Sequence, residues 1–334
     1  MKINIFVNFE KDFKNIVLRS ISHYFNIDFN NKKYTYMKDL SAYKVYFKFL
    51  SESKRVPYPT PRNVHISKEL LNSEYYEQYK HKIEEIKKLF EAGKSAKPYL
   101  HDDIKNLFKI NSEKDCLLND WDIHHLHLGE IRDNAIFCSK TKELLFCKIT
   151  DTDVYFLQIL PHKQGFCDKN LLRILKDNWL EAFNFIELSE ISSIGGKKLT
   201  DIEYRLIREG GMVTPIELDG KYYFSPNLGV ASSRDSSKDV RLAMDKINLL
   251  NELQDIILRH SKVIYDFIIR CNPRQKKPQK IYLKLIHFED ELLIAKDIFS
   301  NAYIEIKINN NYVESIQLTQ GQNKGVIQYE TPKK

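Results

Sequence analysis

The sequence predicts an α+β protein with a central antiparallel sheet and packed helices, a helical N-terminal region and a small C-terminal β-meander. Three observations carry this. Short runs rich in β-branched and aromatic residues, IHHLHL, ELLFCKIT and DVYFLQIL, succeed one another across polar turns such as TDTD, the pattern of an antiparallel meander. One-sided helical spacing flanks them, as in Val240, Met244, Ile247, Leu250 and Leu253. The tail then alternates apolar and polar residues through IYLKLIHFEDELLIAKD, AYIEIKI and VESIQL.

Taken in order, residues 1–9 read as a strand, and Phe13, Ile16, Val17, Ile21 and Phe25 recur at helical spacing behind it. The aromatic content of YTYMKDLSAYKVYFKFL predicts one or two further strands. Three prolines make RVPYPTPRNVHIS an extended loop. A helix over 68–92 ends at Gly93 and Pro98, and a short one at 100–109 carries Asp102 and Asp103 as first-turn acids. Next come LLNDWDIHHLHLG, NAIFCS, ELLFCKIT and DVYFLQIL, then the amphipathic helix NLLRILKDNWLEAF, a β-β-β-α unit. SSIGGKK is a linker-like break, LTDIEYRLIREGG a helix with a glycine stop, and TPIELDGKYYFSP a hairpin turning at Asp219-Gly220. Ser236 or Ser237 caps the long helix that follows, with Asp239 in its first turn. CNPRQKKPQK reads as a basic linker. Three regions result: 1–112, 113–260 carrying the histidine cluster, and 261–334.

Composition bounds the function. Hydrophobic residues are 43% of the 334 and charged residues 29%, which suits a soluble globular chain. MKINIFVNFEKDFK lacks a signal-peptide pattern, and no apolar run approaches the roughly 20 residues a bilayer requires. The expectation is a cytoplasmic protein with no membrane partner. Five widely spaced cysteines without a CxxC pair exclude a disulfide framework and a zinc ribbon. A net charge of +7 is compatible with a polyanion, RNA or another nucleic acid.

Chemistry concentrates in DWDIHHLHLGE, which holds three of the ten histidines. On a strand, period two puts His125 and His127 on one face, about 7 Å apart, and His124 on the other. His162 and Lys163 follow at the end of the DVYFLQIL strand, and Lys148 lies on the strand between. Two chemistries use such groups. Metal-independent RNA cleavage needs two imidazoles as acid and base and a cation for the transition state. Metal binding would join two or three imidazoles to Asp122 or Glu130. A hydrogen-bonded structural strand is the bland alternative. In GVASSRDSSKD, the residues Ser232, Ser233, Arg234, Ser236, Ser237 and Lys238 precede a helix N-terminus, where amides and dipole favour a phosphate. The stretch lacks GK[ST], so nucleotide hydrolysis is not implied.

The segments LLNDWDIHHLHLG, LLFCKITDTDVYFLQILPHK, LLRILKDNW and YYFSPNLGVASSRDSSKDVRLAMDKI together resemble a widespread family of bacterial proteins with a W-x-IHHLHL…LLF…H…NW signature over residues 115–250. The resemblance implies that these segments form one unit, and implies no activity. A topological likeness to small toxin ribonucleases of the RelE, colicin and barnase type points the same way as the histidines. The expectation is therefore a bacterial defence or toxin-like endoribonuclease without cofactor or metal. His125 and His162 are its acid–base pair, His127 assists, and Lys148 or Lys163 stabilises charge. Two alternatives stand beside it: a metal-dependent nuclease using the same histidines, and a non-enzymatic nucleic-acid- or protein-binding subunit, such as one held by an antitoxin.

Overall fold

A computed structural model describes residues 4–110, 114–166, 168–189, 199–273, 278, 280–310 and 312–328, without the side chains of 163 and 164. The chain opens with β1 (Asn4–Val7), α1 (Phe9–Phe25) and α2 (Ala42–Ser53), then β2 (Asn63–Ile66), α3 (Lys68–Leu71) and α4 (Glu74–Glu91). The histidine region comprises α5 (Cys116–Trp121), β3 (Ile123–His127), β4 (Glu143–Ile149), β5 (Asp153–Pro161), α6 (His162–Gly165) and α7 (Asn170–Asn178). There follow β6 (Ile186–Glu187), α8 (Asp201–Glu209), β7 (Ile216–Leu218), β8 (Lys221–Phe224), α9 (Ser237–Arg259) and α10 (Ser261–Cys271). The chain ends in β9 (Lys280–Phe288), β10 (Leu292–Asp297), β11 (Tyr303–Asn309), β12 (Tyr312–Gln320) and β13 (Asn323–Ile327). The fold is α+β, with a C-terminal meander. Among the described residues no helix is long and apolar enough to cross a membrane.

Local chemistry sets many of these boundaries. Asn8 caps α1 by accepting the Lys11 N–H at 3.0 Å, and Asn26 stops it in the left-handed region at φ 52°. Thr200 and Glu203 form a reciprocal capping box on α8. Asp219 and Gly220, at φ 53° and 81°, turn the β7–β8 hairpin; two positive φ values in succession are the reason for glycine there.

The chain divides into two units, Met1–Phe47 with Leu242–Lys334, and Lys48–Arg241. The expected regions 1–112, 113–260 and 261–334 were consecutive, whereas the first unit is discontinuous. Its cause is visible in the strand pairing: β1 runs parallel to β9, Phe6 opposite Tyr282, in a six-stranded sheet of order β1-β9-β10-β11-β12-β13. A parallel partner far along the chain leaves no local mark in the sequence. In the second unit, β3, β4 and β5 form the antiparallel meander, extended by β2 alongside β5 in the order β2-β5-β4-β3. One face of this sheet packs Trp121, Ile123, Leu144, Phe146 and Leu157 against Leu171 and Leu175 of α7. Burying each such side chain contributes roughly 1.5–3 kcal/mol.

Several expectations are corrected. The Tyr-rich stretch forms a 3₁₀ turn at Thr35–Lys38 and then α2, because Ala42 and Val45 bury at helical spacing and tertiary packing overrides aromatic β-propensity. The proline-rich loop contains β2, since the prolines end at Pro61 and leave NVHI free to pair. The helix expected over 68–92 is two, with α3 ending at Leu71, Asn72 as its C-cap and Ser73 preceding α4. NAIFCS forms no strand, and Asn134 there is left-handed at φ 62°. LLNDW is helical, as α5. All of SSIGGKK, and residues 274–277 and 279 of the 271–280 linker, lie outside the described residues.

Candidate functional site

β3 is an edge strand, with His125 opposite Phe146 and His127 opposite Leu144 on β4. His124 faces the other way, where Nε2 meets the Lys54 carbonyl at 3.0 Å. On the first face His127 is only 3% exposed; its Nδ1 accepts the Thr141 N–H at 3.5 Å, and its Nε2 has no hydrogen-bond partner among the described residues. Burial first, then the neighbouring histidines 125, 101 and 162, push the His127 pKa down to about 4. Burial also lowers His125, with Asp115 opposing. Both rings are neutral imidazoles at pH 7.

Asp115 ties the strand to the helix before it. Its Oδ1 accepts the N–H groups of Leu117 and Leu118 at 3.1 and 3.0 Å, capping α5, while Oδ2 stands 3.4 Å from His125 Nδ1. That contact is an ion-pair distance with poor hydrogen-bond alignment, since Nδ1 has no hydrogen-bond partner among the described residues. The His125 side chain keeps 11% of its exposure. His162 begins α6 and is exposed. Its N–H donates to the Lys142 carbonyl at 2.9 Å. Phe166 couples the two rings, with centroids 4.8 Å from His125 and 5.1 Å from His162. This turn comes close to the sheet only because residue 165 is glycine. A Cβ there would lie 2.1 Å from the Phe146 ring.

Beside these rings lies a cleft of about 370 Å³, lined by Lys114, Asp115, Cys116, Leu117, His162, Phe166, Arg205, Arg208, Glu209 and Arg234. Cations outnumber acids. Lys114 reaches Asp235 at 2.6 Å, and Arg205 reaches Glu209 at 2.7 Å. Arg234 donates from Nε to the Glu209 carbonyl at 3.2 Å. Arg208 is 3% exposed, its guanidinium 4.8 Å from the Trp121 ring centre, and it donates from Nη2 to the Phe166 carbonyl. Among the described residues its Nε and Nη1 have no hydrogen-bond partner, and Asp120 Oδ2 stands 3.8 Å from Nη1. Burial raises the Asp120 pKa against the pull of Arg208. A buried guanidinium at a cleft wall, with donors that no described residue accepts from, is suited to a phosphate oxygen.

The expected site residues divide accordingly. His125, His127 and His162 come together. Lys148 does not: it is 2% exposed, opposite Ile123, and donates from Nζ to Asn184 Oδ1 at 2.5 Å, held away from the cleft with its pKa lowered by burial. The Lys163 side chain lies outside the described residues. The amide cradle expected before α9 is already used. The N–H groups of Ser237, Lys238 and Val240 go to the carbonyls of Gly229, Asn227 and Ser236, and that of Asp239 to Ser236 Oγ. Ser236 is fully buried, Ser232, Ser233 and Lys238 are exposed elsewhere, and Arg234 is the residue of this loop that lines the cleft.

Sequence reading missed His101, Asp115, Arg205 and Arg208. Asp115 was legible as an N-cap before CLLNDW. The arginines of EYRLIRE stand at i, i+3 on α8, a pattern shared with any solvated face. His101 enters by packing, its ring 5.8 Å from His127. Among the described residues, the grouping with metal-ligand spacing is His101, Asp102 and Asp103, within 4.8 Å of one another, and Lys140 already stands 3.0 Å from Asp102. His125, His127 and His162 do not form such a group.

Fold and site together define an α+β protein with a basic cleft lined by His162, with His125 packed on the Phe166 ring of the same lining. No family model, curated protein or solved structure matches the chain.

Proposed function

We propose that the chain is a metal-independent endoribonuclease acting in this cleft. One observation carries the proposal: His162 and Phe166 line a cleft that also presents Arg205, Arg208, Arg234 and Lys114, and His125 packs against the same Phe166 ring. His125, neutral because burial lowers its pKa, takes the proton of a ribose 2′-hydroxyl. The 2′-oxygen attacks phosphorus, the bond to the 5′-oxygen breaks, and His162 supplies the proton that this oxygen leaves with. A 2′,3′-cyclic phosphate and a free 5′-hydroxyl result. Asp115, 3.4 Å from Nδ1, favours the charge that His125 gains, and the arginines stabilise the charge that builds on the phosphoryl oxygens, the role expected of Lys148 or Lys163. His127 assists as a neutral neighbour.

The donor spacing favours this over metal-dependent cleavage: among the described residues, no group with metal-ligand spacing includes His125, His127 or His162. The reading extends to a bacterial defence or toxin-like role, for which growth arrest on expression is the cellular readout. RNA incubated with the protein in EDTA tests the chemistry. Cleavage to cyclic phosphate, reduced at least about 100-fold by His162→Ala, supports it. Binding without cleavage in either protein would instead support a nucleic-acid-binding subunit.

A further inference from the structure

The outer face of the six-stranded sheet has a composition that the cleavage reading leaves unused. Along β11, and along β9 as far as Leu285, buried and accessible residues alternate, so one face is core and the other open. Cross-strand register aligns the open face into rows. One row runs Phe6 and Tyr282, with Ile298 bonded to the Tyr282 carbonyl behind them. The next runs Lys284, Lys296, Tyr303, Thr319 and Lys324, and a third pairs Ile294, Glu305, Gln317 and Val326.

Aromatic rings on this face are exposed and organised. Phe6 is 44% exposed and stacks on Tyr282 at 4.7 Å and 12°, and Phe299, 69% exposed, meets Tyr282 edge-on at 5.5 Å. Cations sit over them: Lys280 Nζ is 5.7 Å from the Phe6 ring centre and Lys296 Nζ 5.3 Å from that of Tyr303. Lys284, Lys307 and Lys324 add positive charge, with Glu305 the acid paired into the same rows. An apolar protein partner would not select lysine between the rings. Rings for base stacking, interleaved with cations for phosphates, match single-stranded nucleic acid. Six strands at about 4.8 Å spacing span about 24 Å, room for several nucleotides.

We propose that this face binds single-stranded RNA, with bases on Phe6, Tyr282, Phe299 and Tyr303 and phosphates on the lysines. All these residues belong to one unit, so the inference stands whether or not the cleft of the other unit cleaves RNA. The probe is a labelled 12-nucleotide 2′-O-methyl RNA, which lacks the nucleophile and cannot be cut, read by fluorescence anisotropy on the full chain. Saturable binding is expected, weaker for the same sequence as a duplex. Phe6→Leu with Phe299→Leu should lower affinity about tenfold or more. Lys284→Gln, Lys296→Gln and Lys307→Gln together should flatten the slope of log affinity against log salt by about 2. All five side chains are at least partly exposed, so the melting temperature should hold; should the ring variant fail to fold, the lysine variant decides alone. Equal affinity for duplex and single strand with no effect of the ring variant, an unchanged salt slope, or no saturable binding would each overturn the proposal.

Discussion

Asp115 both caps α5 and faces His125, and the two jobs separate on substitution. Asparagine caps a helix as well as aspartate does, so Asp115→Asn should hold stability within about 0.5 kcal/mol while removing the charge 3.4 Å from His125 Nδ1. Because Asp115 raises the His125 pKa against burial, its loss lowers that pKa further, and the acid limb of kcat/KM should move to lower pH. A pH–rate profile for RNA cleavage checks this; an unmoved limb would remove Asp115 from the mechanism. His127 makes a separate prediction. Its folded pKa of about 4 lies below the ordinary imidazole value near 6.5, so the unfolded chain binds more protons between them. Stability is therefore full above pH 6.5 and declines as pH falls toward 4. Urea midpoints at pH 7.5 and 5.0 should differ, and by less in His127→Leu. At this scale strand periodicity was enough to separate His124 from His125 and His127. Nothing in the residue types alone distinguished Arg208, whose significance lies in burial against Trp121 with donors that no described residue accepts from.

Among the elements, the short turn α6 sets the position of His162, and its approach to β4 depends on Gly165. Gly165→Ala places a methyl group 2.1 Å from the Phe146 ring, so α6 must move. Overpacking of this kind costs about 1–3 kcal/mol, and the displaced imidazole should lose cleavage activity beyond what the lowered melting temperature explains. Phe146→Leu in the same chain should restore part of both, measured as a double-mutant cycle; strict additivity would mean that the contact does not position the turn. The meander β3–β4–β5 and the helices α1, α8 and α9 were readable because spacing, caps and turns agree there. α2 was not, since Tyr43, Tyr46 and Phe47 favour strands in isolation and only the burial of Ala42 and Val45 makes them helical. The loop before α9 misled differently: its sequence has the hydroxyls and glycine of an anion cradle, but Asn227, Gly229 and Ser236 use the amides internally.

For the whole molecule, the discontinuous unit was the least legible feature, because the parallel pairing of β1 with β9 is specified by contacts between distant segments. Removing residues 1–8 should therefore weaken hydrogen-exchange protection across β9–β13 and leave β3–β5 unchanged. Loss of protection in β3–β5 instead would show that the units are not independent in stability. The central claim concerns the other unit: that histidines and arginines cleave RNA there without a metal ion. It is tested most directly by incubating a defined single-stranded RNA with the wild-type chain and with His162→Ala in excess EDTA, and resolving the products. The account predicts 2′,3′-cyclic phosphate ends from the wild type and at least about 100-fold slower cleavage by the variant. Intact RNA with the wild-type protein in EDTA, or equal cleavage by His162→Ala, would contradict it.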